Sequence, residues 1–467
     1  MLAPLALLEQ LQARLDEAVG AIRTGGPGRL VSLALELPQA PALPPEIAAP
    51  RFALIHRGRE ELKAGYGVAA GRESAGAGRL AELRAGAQGL ARDWERHDPD
   101  ETGQDPFALL GFAADPEPDP RSRPDTGLPN ALLWVPELAL SVRRGQASLI
   151  FAARLPQTRG ALRARWGEWL RRLVPALAGE PPEPLPAARL CPRECLPGSL
   201  DWQVLVERTL DEIRRGALQK AVLCRRVEYR GQRPFDLTRL LAALAWLFPS
   251  CQILRLSRGP TSLVAATPER LVRVGRGWAE TDAIAGTAER SPSAARDAAL
   301  AESLRRCEKS RHEHALVVEA IRRALTGCCS AVEVPPAPAV LKLHNAQHLW
   351  TPIRARPGPG TDLFELAERL HPTPATNGTP SREAHAWLRG AEPLARGWYT
   401  GAAGVLGLGA DSALEGELWV LLRCAELAGD RARLYAGAGI VAGSKAQAEW
   451  RETAHKLAAV ATALRFA

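Results

Sequence analysis

Lysine is scarce in this sequence, six among 467 residues, which singles out the one that opens an apolar run. Lys220 precedes Ala221-Val222-Leu223-Cys224 in a stretch, KAVLCRRVEY (220–229), that reads as a strand, where lysine has low propensity. At a strand edge its ammonium would sit in water. Partly desolvated, its pKa would fall toward neutrality and the amine would serve as a general base. Glu269, in ATPER, follows an apolar strand, and the proline turn projects it from the sheet. A turn carboxylate is ordinarily solvated, but one held in an apolar cleft has a raised pKa and donates a proton.

Three more carboxylates have helical contexts. Glu313 lies in KSRHEHALVVEAI between His312 and His314. Glu449 and Glu452 share one helix face at i,i+3 in AEWRETAHK, with Lys456 four residues beyond Glu452. Glu–Lys ladders are common on exposed helices, whereas an acid pair on one face makes chemical sense when a divalent cation neutralises it. Oxygen ligands without a paired Cys or His motif point to Mg²⁺ rather than zinc. The stretch AGAGIVAGS (436–444) joins a strand to a helix through three glycines. Such a junction either lets backbone N–H groups approach an anion or simply turns the chain. Arg423, within LWVLLRCAEL, interrupts an apolar strand, and an inward arginine there requires a carboxylate or phosphate partner.

The elements that must position these residues lie in the second half. Helices are expected over 199–215 and 234–247, flanking the strand that Lys220 opens. A strand over 262–274 leads through a turn at Gly275–Gly277 into WAETDAIAGT, a hairpin by its alternation and glycines. One long amphipathic helix is expected over 294–325. Strands TGAAGVLGLG (400–409), GELWVLLRCAEL (416–427) and RLYAGAGIVAG (433–443) follow helices at 361–370 and 381–389, and a helix over 444–466 closes the chain. Hairpins separated by helices, without strict βαβ alternation, predict an α+β fold with large antiparallel β-sheets packed with flanking helices. Proline-rich stretches occupy 37–50 and 180–198, and the second is the expected boundary between a variable half, 1–198, and a catalytic region, 199–467.

Composition narrows the function classes. With 46% hydrophobic and 24% charged residues the chain reads as globular. The net charge of +8 comes from arginines scattered singly, and aromatic residues make up only 5%, so no nucleic-acid surface is expected. The opening twenty residues lack the basic start of a secretory signal, and the longest apolar stretch, 240–248, falls far short of a membrane span. The eight cysteines show neither a CxxC pair nor a regular framework, which suits reduced thiols in the cytoplasm.

In order along the chain, ATPERL, DAIAGT, EHALVVE, LHPTPATNGTP, RGWYTGAAG, LLRCAEL and AGAGIVAGSKAQAEWRETAHK resemble the blocks of the chorismate-utilising enzymes, most closely the isochorismate synthases. The resemblance covers 199–467. It implies that Lys220 activates water and that Glu269 protonates the departing hydroxyl. It assigns Glu313 and Glu452, with Glu449 beside them, to Mg²⁺. Arg423, Tyr399, Lys456 and the backbone of Gly437, Ala438 and Gly439 would hold the substrate chorismate, with Thr287 and His348 lining the same site.

Ala285 stands where the aminodeoxychorismate synthases usually carry a nucleophilic lysine, and anthranilate synthases typically lack a lysine at the position of Lys220. Water addition without a glutaminase partner is therefore expected; the resemblance also implies a monomer, and the length with its long N-terminal half favours menaquinone over siderophore synthesis. Thr376-Asn377 departs from the small or apolar pair usual after HPTPA, and salicylate-forming and aminating members remain alternatives.

Overall fold

The computed structural model describes residues 3–26, 28–48, 50–121, 127–178, 186–344, 346–408 and 414–467. Residues 1–2 of the opening stretch, residue 49 of the first proline-rich stretch, 180–185 of the second, and residue 409 of the strand expected at 400–409 lie outside them.

Two sheets form the body, one of thirteen strands and one of ten among the described residues, antiparallel except where Leu30–Leu37 pairs in parallel with Trp94–His97. Strand alternation explains why they stack. On strand Arg51–His56, Phe52 and Leu54 enter one apolar cluster and Ala53 and Ile55 another; on Phe107–Phe112, Phe107 and Leu109 join the first cluster and Ala108 and Leu110 a third. The shared cluster is the layer between the sheets, and side chains two residues apart reach it from both. The outer face of the larger sheet is covered by helices Pro4–Ala21, Arg159–Leu177, Leu237–Leu247 and Ala446–Leu464. Helices Arg79–Arg92, Glu308–Thr326 and Leu363–Leu370 cover the other. The α+β reading thus holds. Among the described residues no helix is long and apolar enough to cross a membrane.

The structure corrects three element boundaries. The apolar run 262–274 is two strands, Thr261–Thr267 in the larger sheet and Arg270–Gly275 in the smaller, parted at Pro268-Glu269. The run 416–427 likewise splits into Gly416–Val420 and Cys424–Ala428, again in different sheets. The long helix over 294–325 is two helices, Ala294–Arg306 and Glu308–Thr326, because Cys307 is extended, with ψ of 112°.

Residue 198 separates no cores. Strand Arg51–His56 pairs with Gln252–Arg258, and Phe107–Phe112 pairs with Ala402–Gly407, so both sheets run through both halves. The division at 198 marks where the chemical motifs begin.

Candidate active site

Lys220 opens strand Lys220–Arg230, whose even-numbered side chains point between the sheets. Its side chain is fully buried, with Nζ 3.0 Å from Glu313 Oε1. The approach angle makes no hydrogen bond, so Nζ is a buried polar atom without a hydrogen-bond partner. Glu313 comes from helix Glu308–Thr326 and reaches in across Gly439 of the neighbouring strand, Arg431–Ile440. A Cβ on Gly439 would lie 3.0 Å from Lys220 Cε and would collide with Glu313 Oε1, so a side chain there displaces the Glu313 carboxylate.

Glu269 occupies the Pro268 break between its two strands and is 3% exposed. Burial, reinforced by the nearby Asp282 carboxylate, pushes its pKa up to about 8, against the opposing pull of Lys220. The Thr373 hydroxyl is 3.4 Å from Glu269 Oε1. At neutral pH Glu269 is a protonated acid.

Arg423 lies where the chain passes from one sheet to the other. Its backbone adopts φ 46°, a left-handed conformation costly for a residue with a Cβ and held here by Ala266 N–H donating to its carbonyl at 3.2 Å. The guanidinium is buried, donates to His348 Nε2 at 2.7 Å, and leaves Nε without a partner. Among the described residues no carboxylate pairs with it. His348 Nδ1 lies 3.1 Å from Gly286 O. These partners assign the proton to Nδ1 and the lone pair to Nε2. Burial, then Arg423 and Lys456, lower the His348 pKa to about 3, so the ring is neutral.

Thr287 stands opposite His348 in register. Gly286, at φ 76°, is the extra residue of a bulge that aims Ala285 and Thr287 at the site. The Thr287 hydroxyl donates to Glu452 Oε1 at 3.3 Å. Lys456 pairs with Glu452 at 2.7 Å and donates to Gly437 O at 2.9 Å. Burial pushes the Glu452 carboxyl up, but Lys456 and other neighbouring cations outweigh it and hold the pKa below the usual range.

One cavity, of about 80 Å³, gathers Glu269, Ala285, Thr287, Glu313, His348, Tyr399, Arg423, Gly437, Gly439, Glu452 and Lys456 along its walls. Lys220 lies directly behind Glu313 and Gly439 and does not itself line it. Two more expected residues fall outside. Ala438 faces an apolar cluster under helices Ser199–Arg214 and Ser381–Ala391. Glu449, buried, ion-pairs with Lys309, and burial together with Glu452 raises its pKa against that lysine.

The glycine stretch also acts differently from expectation. Its strand continues to Ile440, and helix Ala446–Leu464 begins well beyond. Because the Gly437 carbonyl turns away from the paired strand to Lys456, antiparallel geometry turns the Gly437 and Gly439 N–H groups the same way. These donors come from an open strand edge, not a helix start. Of the Thr376-Asn377 departure, Thr376 lines the cavity, while the Asn377 amide donates to Ser381 O at 2.8 Å and lies beside a separate cleft.

Several contributors went unread in the sequence. Thr373 sits inside the HPTPA block, and Asp282 inside DAIAGT. Lys309 carries the same signal that exposed Lys220, rarity, and it feels Glu449, Glu313 and Glu452 together. Among the described residues, no group of three His, Cys, Asp or Glu side chains is arranged as a metal site. The donor set at the cavity is therefore the Glu313 and Glu452 carboxylates, hard oxygen ligands that fit Mg²⁺ when substrate oxygens and water complete the shell.

Comparison with known proteins places the fold and the family. The "Salicylate biosynthesis isochorismate synthase" of Pseudomonas aeruginosa is 39% identical over 263 residues, covering 56% of this chain and 54% of that protein. "Isochorismate synthase MenF" of Bacillus subtilis is 33% identical over 264 residues, 56% of this chain and 55% of that protein. The matched segment thus spans about half the length of these two relatives. The solved structure of MenF, described as the menaquinone-specific isochorismate synthase of Escherichia coli, superposes with a TM-score of 0.79 at 26% identity, covering 99% of this chain and 100% of that one. An anthranilate synthase component I from Streptococcus pneumoniae shares the fold, with a TM-score of 0.65 at 22% identity. The sequence model of a family described as chorismate binding enzyme matches residues 24–465, extending well before the expected boundary at 198, and the chain belongs to that family.

Proposed function

We propose that this chain is a Mg²⁺-dependent isochorismate synthase, an isomerase that adds water at C2 of chorismate as the C4 hydroxyl departs. The observation that carries the reading is one cavity holding both a carboxyl protonated at neutral pH, Glu269, and a buried guanidinium without a carboxylate partner, Arg423. A dicarboxylic substrate supplies what Arg423 lacks. The outward N–H groups of Gly437 and Gly439 and the Lys456 ammonium receive further substrate oxygens.

Mg²⁺, when bound at Glu313 and Glu452, supplies positive charge that neutralises a substrate carboxylate. The Lys220 amine takes a proton from water, whose oxygen bonds to C2. The ring double bonds shift, the C4–O bond breaks, and Glu269 gives its proton to the leaving hydroxyl, which departs as water. Acid and base act on opposite ends of the displaced system from different strands. Ala285, a bare methyl at the cavity wall, offers no nucleophile to compete with water.

The proposal extends to a monomer acting without a glutaminase subunit, in the cytoplasm, on the menaquinone route. The end-to-end coverage of the menaquinone-specific structure supports that route. Purified protein with chorismate and Mg²⁺ should form isochorismate without pyruvate. Pyruvate release would mark a salicylate or aminating synthase and overturn the reading. Expression should restore menaquinone in a strain lacking its own enzyme, and failure with active protein would remove the pathway assignment.

A further inference from the structure

Strand Lys220–Arg230 has a second face. Its even positions turn toward the catalytic cavity, while Arg225, Val227 and Tyr229 turn outward and meet the last residues of helix Ala446–Leu464. From the helix come Ala454, Leu457, Ala458, Ala461, Thr462 and Arg465, the recurring spacing of one helical stripe. Arg189 and Leu190 close the third side, where Ala188 N–H donates to Arg465 O. The result is a groove of about 500 Å³ in which polar and apolar surface are about equal, with Leu190, Val227, Leu457, Ala458 and Ala461 between the arginines. At a 1.5 Å rise per residue the stripe from Ala454 to Arg465 is about 16 Å long.

Charge sits at the two ends of this groove. Arg225 is 4% exposed and stacks on Trp450 at 3.6 Å, near the beginning of the helix. Among the described residues its other hydrogen-bond partners are weak acceptors, Cys195 Sγ at 3.7 Å and Trp450 O at 3.5 Å, and its Nε has none. A buried guanidinium without an anion is costly, because the charge has lost water and gained no counter-charge. Arg189 and Arg465 lie together at the far end. Most arginines of this chain are simply surface charges, many of them held by carboxylates. These three have no carboxylate partner among the described residues. The negative end of the helix dipole, about half a charge, opposes an anion near Arg465, but two full positive charges there outweigh it.

We propose that this groove binds an elongated organic anion with an apolar body and oxyanion groups at its ends, separate from the catalytic cavity. The class is that of a long dicarboxylate or an equivalent phosphate-bearing chain. Bidentate carboxylate contact satisfies Arg225 at one end and the Arg189–Arg465 pair at the other, with methylenes along Leu457, Ala458 and Ala461.

The test uses the full chain and calorimetric titration with decanedioate, decanoate and inorganic phosphate, at ionic strength matched with chloride. Saturable decanedioate binding is expected, weakened about tenfold or more in the Arg189→Ala/Arg465→Ala double variant, whose substitutions are exposed and leave the fold intact. Arg225→Met should lose the other end. Phosphate alone should bind far more weakly. Decanedioate binding unchanged in the double variant, decanoate binding as tightly as decanedioate, or a titration curve reproduced by chloride alone would each overturn the proposal. The outcome is independent of isochorismate formation, which the outward-facing substitutions should not alter.

Discussion

Replacing Glu269 with glutamine tests the acid and its environment at once. With a pKa of about 8, the wild-type side chain is neutral at pH 7, so glutamine matches its shape and its charge while lacking a proton to give. Chorismate affinity should therefore stay within about twofold, and kcat should fall by about 10²–10⁴, the range for loss of a general acid. In the wild type, kcat/KM should decline about tenfold per pH unit above roughly pH 8, as the acid ionises. Stability carries the same signature. The folded state raises this carboxyl from 4.5 to about 8, so its contribution is fully present below pH 4.5 and is lost as pH rises through 8. At 1.36 kcal/mol per pKa unit, the loss amounts to about 3 kcal/mol by pH 7 and approaches about 5 kcal/mol above pH 9. Glutamine does not titrate, so Glu269→Gln should gain on the wild type in denaturant midpoint as pH increases from 5 to 9. Wild-type activity that stays level through pH 9.5, or a variant whose stability relative to wild type is independent of pH, would refute a raised carboxyl at this position.

Other substitutions address the rest of the site. Gly439→Ala drives a methyl into Glu313 Oε1 and toward Lys220 Cε; it should cost about 1–3 kcal/mol by chemical denaturation and most of the activity. Lys220→Ala should abolish water addition while chorismate still binds, as read by single-turnover assay and equilibrium titration; a fully active variant would remove Lys220 from the base role. Glu313→Gln should raise the Mg²⁺ concentration needed for half-saturation in calorimetry by about tenfold or more, whereas an unchanged metal titration would exclude Glu313 as a ligand.

The architecture was legible because alternation and glycine turns are local, and so was the burial of side chains whose type is odd for their place. A lysine opening an apolar strand and an arginine interrupting one both proved to be buried beside one cavity. What could not be read was where an apolar run changes sheet. In SLVAATPERLVRV and GELWVLLRCAEL nearly every apolar side chain is buried before and after the crossing, so hydropathy shows no seam. Pro268 was the one local sign. The pairing of strand Arg51–His56 with Gln252–Arg258 was invisible for another reason, since no short-range pattern encodes a contact two hundred residues away. At Glu449 the i,i+3 spacing gave the helix face but not the neighbour that meets it, which is Lys309.

The two unseen crossings are the same place. Strand Thr261–Thr267 pairs with Cys424–Ala428 in one sheet, and Arg270–Gly275 pairs with Gly416–Val420 in the other, so two chain segments change sheets side by side. Backbone bonds tie the seam: Val420 N–H donates to Glu269 O at 3.0 Å, and Ala266 N–H to Arg423 O at 3.2 Å. Each crossing interrupts the apolar alternation for two or three residues, which is where a polar side chain can enter the interior without displacing a core residue. Glu269 enters at one crossing and Arg423 at the other. The left-handed backbone at Arg423 and the buried carboxyl at Glu269 are thus linked costs of one device, and loosening either crossing should shift the pKa of Glu269 along with the position of Arg423. Proline at Val420 removes the N–H that holds Glu269 O. It should lower the alkaline limb of kcat/KM toward the ordinary carboxylate range by admitting water, and should also weaken substrate binding. An alkaline limb left in place by that substitution in folded protein would show that the seam does not set the acid.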